Sequence, residues 1–266
     1  LFGYGPADEV RKKLITLWNV YSFYATYAAV DGFNPELITI NNDSLTILDK
    51  WILAKTHLLL ENAKDSLDVY RVDKFMKAFE VYLEELSNWY VRRNRRRFWK
   101  TEDDDDKNSA YACLYHVLKN VIKVISPVLP FAAETIYQNL VRNSEKDSME
   151  SVHLCEYPIP VKKWIDKNLI RNVDALRKCV ELGRSARNTS NLKIRQPLSK
   201  VYFAQVDDKI AKFFLENEEI IIEELNVKAV ERITEADKLI SYKIKPNLRT
   251  LGQKYGRGLS NIKSFL

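Results

Sequence analysis

The residue types best suited to binding are concentrated in one segment, where five arginines occur among the six residues 92–97. Aromatic residues flank this cluster on both sides, namely Trp89, Tyr90, Phe98 and Trp99. Guanidinium groups donate paired hydrogen bonds to phosphates and stack on bases, and aromatic rings offer further stacking surfaces. The combination suits folded RNA, whose loops expose unstacked bases. It suits an ion-pair network or a domain interface as well, so residue types alone leave both hypotheses open.

The direction in which each arginine points follows from the helical pattern of its segment. Residues 71–99 carry an apolar stripe at three-four spacing, which predicts one long helix. The stripe consists of Val72, Met76, Phe79, Leu83, Leu86 and Tyr90. The same steps lead on to Arg93 and Arg97, which we predict to be structural or interfacial, like Trp89, and paired with acids such as Glu84 or the run 103–106. We predict that the remaining arginines are more exposed. The predicted RNA-binding residues here are Arg92, Arg95, Arg96, Trp99 and Lys100.

The elements that position these residues are mostly long helices. The first is predicted from near Pro6 to the turn at Asp31-Gly32, with an apolar stripe. That stripe comprises Val10, Leu14, Leu17, Trp18, Tyr21, Ala25 and Ala28. A second helix is predicted after an N-cap at Asp43-Ser44, a fourth after the acidic run 103–106, and a shorter one over residues 131–141. Long helices with short connections predict an antiparallel helix bundle over residues 1–150.

The pattern changes in the last third of the sequence. Residues 151–192 read as a linker and a connecting helix at about 164–188. Strand-like segments follow at 198–205, 226–233 and 239–245, with a helical run at 209–224 between the first two. The predicted fold class is therefore mainly α, a helix bundle followed by a small α+β subdomain over residues 193–266.

A second group of basic residues lies in this last part. It comprises Lys193, Arg195, Lys200, Lys243, Lys245, Arg249, Lys254 and Arg257. A solvated basic face explains these residues at least as well as a binding site does. The net charge of +6 and the isoelectric point near 9.0 suit a polyanionic partner without identifying one.

Several classes of function find no support in the sequence. The three cysteines lie far apart, which fits reduced intracellular thiols. We find no Cys/His spacing typical of zinc, no glycine-rich phosphate loop and no apolar stretch of membrane-spanning length, and we expect no leader segment. We therefore expect no catalytic residue, metal or cofactor in this chain. We also expect a cytoplasmic location without a membrane or DNA partner.

The arginine-rich segment is also where the chain becomes recognisable. Residues 88–99, NWYVRRNRRRFW, resemble the signature helix of the anticodon-binding domain in the isoleucyl-tRNA synthetase family. The flanking segments LITLWNVY (14–21), LDKWI (48–52), SAY (109–111) and LY (114–115) agree with that family, while SPVLPFAAE (126–134) is shared with the valine and leucine enzymes. The segments SVHL (151–154), IRQPL (194–198), KPN (245–247) and LG (251–252) resemble the archaeal and eukaryotic-type branch.

This resemblance implies a domain that binds the anticodon arm of tRNA(Ile). The parent enzyme would use ATP with Mg²⁺ to activate isoleucine and transfer it to the tRNA. Because the family's HIGH-like and KMSKS-like signatures are absent, we expect the catalytic domain to be missing from this chain and to be a further partner. We also expect the chain to be truncated at both ends. The resemblance also raises the RNA hypothesis for the second basic group, from which we predict Arg195 and Lys245 as tRNA contacts. The alternatives are a helical protein-interaction or scaffold domain, or the equivalent region of a valyl-tRNA synthetase.

Overall fold

The computed structural model describes residues 3–38, 40–101 and 104–234. By contact, the chain divides into two compact units, Leu1–Val173 and Asp174–Leu266. The helices of the first unit are α1 (Tyr4–Asp31), α2 (Ile47–Leu67), α3 (Val72–Glu85), α4 (Arg92–Trp99), α5 (Asp105–Ile125) and α6 (Pro130–Tyr137). Helix α7 (Lys167–Thr189) spans the boundary between the units. The predicted three-part division at residues 150 and 192 rests on composition and stays a prediction.

The helices of the first unit begin and end at recognisable signals. Helix α1 ends at Gly32, whose φ of 66° is the left-handed conformation that glycine adopts without strain. Asp104 caps α5 by accepting the N–H of Lys107 at 2.7 Å, so the acidic run starts this helix as predicted. The N-cap predicted at Asp43-Ser44 is wrong, because those residues lie in the preceding turn and Thr46 caps α2 instead.

The core of the first unit lies where α2 packs against α3 and α5. Its largest fully buried side chains include Trp51, Tyr90, Tyr111, Tyr137, Phe75 and Phe98. Burying a large apolar side chain stabilises the fold by roughly 1.5–3 kcal/mol, so this core holds the bundle together. Two predicted stripes are partly wrong. Val10 and Trp18 of α1 are 51% and 44% exposed and Val72 of α3 is 42% exposed, because the buried faces are centred on neighbouring positions.

The predicted helix over residues 71–99 is interrupted in the middle. A π-helical turn, Leu86–Val91, separates α3 from α4. Such a turn inserts one extra residue into the helix and shifts the phase of everything that follows. Asn94 is accordingly buried, whereas the predicted inward residue Arg93 is only half-buried. A second π-helical turn, Gln138–Arg142, ends the short helix that starts at Pro130.

The described part of the second unit is a small α+β arrangement, as predicted. Strands β1 (Val201–Phe203) and β2 (Val230–Arg232) pair in parallel, with Val201 opposite Val230. They are shorter than the predicted strands 198–205 and 226–233. The connection contains α8 (Asp208–Glu216) and α9 (Glu218–Leu225), so the predicted helical run divides at Asn217. The predicted strand at 239–245 lies outside the described residues. No described helix has the length and apolar character needed to cross a bilayer.

Candidate nucleic-acid interface

Helix α4 presents a single exposed stripe of basic and aromatic side chains. Arg92, Arg95, Arg96 and Trp99 stand at positions i, i+3, i+4 and i+7, which share one face of a helix. All four are exposed, and Trp99 has 53% of its surface in solvent. The predicted order of exposure is confirmed, since Arg93 is half-buried and Arg97 is 9% exposed. An RNA strand lying along α4 would meet three guanidinium groups and one indole on the same side.

The opposite face of α4 is anchored by a buried ion pair. Nη1 of Arg97 lies 2.9 Å from both carboxylate oxygens of Asp49. The Tyr90 hydroxyl donates to the same carboxylate at 2.6 Å. Nη2 of Arg97 donates to the backbone carbonyl of Asp106 at 2.9 Å, and its Nε lies 2.7 Å from the Asp106 carboxylate. Arg97 therefore ties α4 to the beginnings of both α2 and α5, which fixes the direction of the exposed stripe.

Arg97 and Tyr90 are both held in their protonated forms by their surroundings. Burial by itself lowers the pKa of Arg97, but the nearby Asp49 and Asp106 carboxylates outweigh this effect and raise the pKa above its usual value. Burial raises the pKa of the Tyr90 hydroxyl well above its usual value, so this group stays protonated and donates. The sequence predicts an acid such as Glu84 or one of the run 103–106 as the partner of Arg97, and Asp106 of that run pairs with it. Asp49 was missed, although its position in an N-terminal capping box with Thr46 is a signal in the sequence.

Trp89 supports Arg92, the first arginine of the stripe, and its half-buried neighbour Arg93 from the inside. It is 7% exposed, and the guanidinium carbons of Arg92 and Arg93 lie 5.9 and 5.8 Å from its ring centroid. Cation–π contacts at this distance stabilise the arginines against the helix surface. Nε of Arg92 also donates to the Asn88 carbonyl at 2.8 Å. Part of the stripe is thereby preorganised.

Lys100 is placed differently from the arginines of the stripe. Its Nζ lies 3.2 Å from Asp104 and 2.7 Å from Asp106, and hydrogen bonding to Asp106 raises its pKa. Its backbone carbonyl accepts from Lys107, which is buried and paired with Asp31 at 2.8 Å. A phosphate would have to compete with two carboxylates for the Lys100 ammonium group. Its role in tRNA binding stays a prediction.

A cavity of about 400 Å³ opens beside the segment that follows α4. Its lining includes Gly32, Phe33, Asn34, Thr101, Lys107 and Tyr111. The rings of Phe33 and Tyr111 stack with centroids 5.0 Å apart. The Asn34 side-chain oxygen accepts the N–H of Glu36, and no described residue accepts from its Nδ2. An aromatic wall with amide and hydroxyl groups can hold a planar polar group.

The predicted sites in the second unit are only partly described. Arg195 is exposed in the loop between α7 and β1, whereas Lys245 lies outside the described residues. Lys200 forms an ion pair with Glu231. Within the described ranges, no three His, Cys, Asp or Glu side chains come together as metal ligands would.

Comparison with known proteins identifies the class of protein that this geometry belongs to. Residues 49–202 match the family described as the anticodon-binding domain of tRNA ligase. This match covers more than half of the chain and includes α4 together with Asp49, so the chain belongs to that family.

The chain is also similar to isoleucine–tRNA ligases. The enzyme of Clostridium novyi is 47% identical over 259 residues, which cover 97% of this chain and 24% of the relative. That of Clostridium tetani is 44% identical over 256 residues, 96% of this chain and 24% of the relative. That of Treponema denticola is 40% identical over 267 residues, 95% of this chain and 24% of the relative. The chain thus spans about a quarter of the length of the curated relatives it matches.

Proposed function

We propose that this chain binds the anticodon arm of tRNA(Ile) through the exposed stripe of α4. The observation that carries the proposal is the arrangement of Arg92, Arg95, Arg96 and Trp99 on one exposed face. The Asp49–Arg97 pair holds that face in place from behind. Cations on a rigid helix bind backbone phosphates, and an exposed indole stacks on an unpaired base.

The parent protein, on this proposal, is a cytoplasmic isoleucine–tRNA ligase. It activates isoleucine with ATP and Mg²⁺ and transfers it to tRNA(Ile) in a catalytic domain elsewhere in the parent chain. This region contributes binding energy and positions the acceptor end through the rigid tRNA. The relatives named above support isoleucine over valine as the amino acid. Those relatives come from Clostridium and Treponema, and membership of the archaeal and eukaryotic-type branch stays a prediction.

Salt-dependent titration tests the proposed interface. Labelled tRNA(Ile) and a non-cognate tRNA are titrated with the chain at salt concentrations between roughly 50 and 200 mM. Arg95→Gln and Arg96→Gln should each weaken binding and reduce the slope of log K against log salt by about 0.7–0.9, because each removes one phosphate contact. Arg11→Gln is the matched control, since Arg11 is an exposed arginine on α1 whose side chain is 65% accessible.

The same titration separates the proposal from the protein-interaction alternative. Exposed apolar side chains on α1, such as Ile15 and Trp18, line a groove with Ala132 and Ile136 and would suit a protein partner. Binding that ignores both the identity of the RNA and the salt concentration refutes the tRNA proposal. If Arg95→Gln and Arg11→Gln lower the salt slope by the same amount, the charge of the whole chain drives binding, and α4 is not the specific interface.

A further inference from the structure

The loop between α7 and β1 contains a tight turn that displays basic residues. The N–H of Gln196 donates to the Lys193 carbonyl at 3.0 Å and closes the turn. Arg195 lies inside this turn and is exposed, as is Lys193. Unlike Lys200, which is paired with Glu231, Arg195 makes no ion pair within the described residues. The turn therefore presents an available guanidinium group to solvent.

A buried arginine holds this turn from below. Arg187, on the last turns of α7, is 5% exposed. Its Nη2 donates to the Lys193 carbonyl at 2.6 Å and to the Gln196 carbonyl, and it lies 3.5 Å from the Ile194 carbonyl. Three carbonyls of one turn thus converge on one guanidinium nitrogen, which fixes the backbone that carries Arg195.

The turn is also held from the side by α9. Asn226, the left-handed residue that follows α9, donates from Nδ2 to the Ile194 carbonyl at 3.0 Å. The N–H of Leu198 in turn donates to the Asn226 carbonyl at 3.1 Å. The turn is consequently held by two side chains, Arg187 on α7 and Asn226 just after the end of α9.

The charge of Arg187 is not neutralised in the described part of the chain. No described carboxylate pairs with it, and its Nε and Nη1 are buried without a hydrogen-bond partner among the described residues. Arg184, one turn earlier on α7, is by contrast paired with Glu224. A buried cation compensated only by carbonyl dipoles leaves positive potential at the turn. An anion at the turn would relieve this imbalance.

We propose that the turn Lys193–Gln196 is a second phosphate-binding site for the tRNA backbone, in which Arg195 contacts the phosphate and Arg187 is the positioning residue. This inference rests on the proposed function, because it takes tRNA as the ligand. RNA is favoured over an acidic protein because the turn falls within residues 49–202, the range that matches the anticodon-binding family. Arg187 acts through the geometry of the turn and makes no contact with the RNA itself.

A double-mutant cycle with tRNA(Ile) tests this division of roles. Arg195→Gln should lower the slope of log K against log salt by about 0.7–0.9. Between roughly 50 and 200 mM salt, the wild type should therefore lose affinity by a factor roughly threefold larger than the factor that the variant loses. Arg187→Lys keeps the charge but replaces the planar guanidinium with a compact ammonium group on a shorter side chain, which no longer reaches the turn in the same geometry, so it should weaken binding by a similar factor. In the Arg195→Gln background, Arg187→Lys should change affinity less than twofold, because the contact it positions is already gone.

Two further variants keep the outcome decisive. Arg184→Lys, on the same helix and paired with Glu224, should show no coupling to Arg195→Gln. If circular dichroism shows that Arg187→Lys does not fold, Asn226→Gly replaces it in the cycle. Glycine accommodates the φ of 49° at that position, so only the bond to Ile194 is lost.

The possible results distinguish this inference from the function on which it rests. Additive effects of Arg187→Lys and Arg195→Gln, or coupling no larger than that of Arg184→Lys, overturn the positioning role. An unchanged salt slope in Arg195→Gln overturns the phosphate site, while Arg95→Gln can still support the α4 interface. If the wild type does not bind tRNA(Ile) at all, both proposals fail.

Discussion

Replacing Asp49 with asparagine removes the charge that balances Arg97 while keeping a side chain of the same size and shape. In the wild type, the Asp49 carboxylate accepts from Arg97, from the Tyr90 hydroxyl and from both the N–H and the hydroxyl of Thr46. Asparagine has one acceptor oxygen, so whichever way its amide is turned, an NH₂ group faces a buried donor. The substitution therefore tests the anchor behind α4 without opening a cavity.

The expected loss of stability follows from the burial of this pair. Asp49 is 0% exposed and Arg97 is 9% exposed, so solvent does not screen their interaction. Removing one partner of a buried ion pair costs about 3–5 kcal/mol. An unsatisfied buried donor costs about 1–3 kcal/mol, and this overlaps with the first figure because the same atoms are involved. Asp106 still lies 2.7 Å from Arg97 and offsets part of the loss, so we expect about 3 kcal/mol.

Urea unfolding followed by tryptophan fluorescence measures this loss in the relevant unit. All five tryptophans lie within the unit Leu1–Val173, so their emission reports its unfolding. Asp73→Asn is the control, because its pair with Arg71 is exposed and screened by solvent, so its loss should be much smaller than that of Asp49→Asn. A loss below about 1 kcal/mol in Asp49→Asn would refute the argument that the buried pair anchors α4.

Three further outcomes are expected. Trp99→Leu should weaken tRNA binding about 5- to 100-fold without changing the salt slope, because it removes stacking but no charge; an altered slope in filter-binding titrations would contradict this. Burial, with a smaller effect of His116, lowers the pKa of His57 from 6.5 to about 4. The unfolded chain therefore takes up a proton first as the pH falls from about 6.5 to 4, and stability decreases over that range. The wild type should lose about 2 kcal/mol between pH 8 and pH 5 that His57→Gln does not lose, and equal pH profiles in urea unfolding would refute this. In Gly183→Ala, the new Cβ would lie 2.5 Å from a Leu225 methyl carbon. The clash should outweigh the gain in helix propensity and cost about 1–2 kcal/mol in thermal unfolding by circular dichroism, and a variant as stable as the wild type would disprove this packing.

The sequence by itself determined the features that depend on local repetition. The three-four spacing of apolar residues located the helices, and the acidic residues before α5 identified where it begins. The spacing of Arg92, Arg95, Arg96 and Trp99 placed them on one outward face, because each residue of an α-helix turns by a constant angle. The segment around these residues also pointed to an anticodon-binding domain of a tRNA ligase, which the match over residues 49–202 confirms.

Only the tertiary structure decided which charged groups meet. The extra residue of the π-helical turn Leu86–Val91 buried Asn94 where periodicity predicted Arg93. The pair between Asp49 and Arg97 joins residues 48 positions apart, and nothing in either local segment specifies the other. Likewise, no local pattern marks Arg187 as the residue beneath the turn that holds Arg195. Periodicity records which face of a helix is buried, whereas the partner of a buried charge is chosen by how the helices pack, because only packing brings distant donors and acceptors within hydrogen-bonding distance.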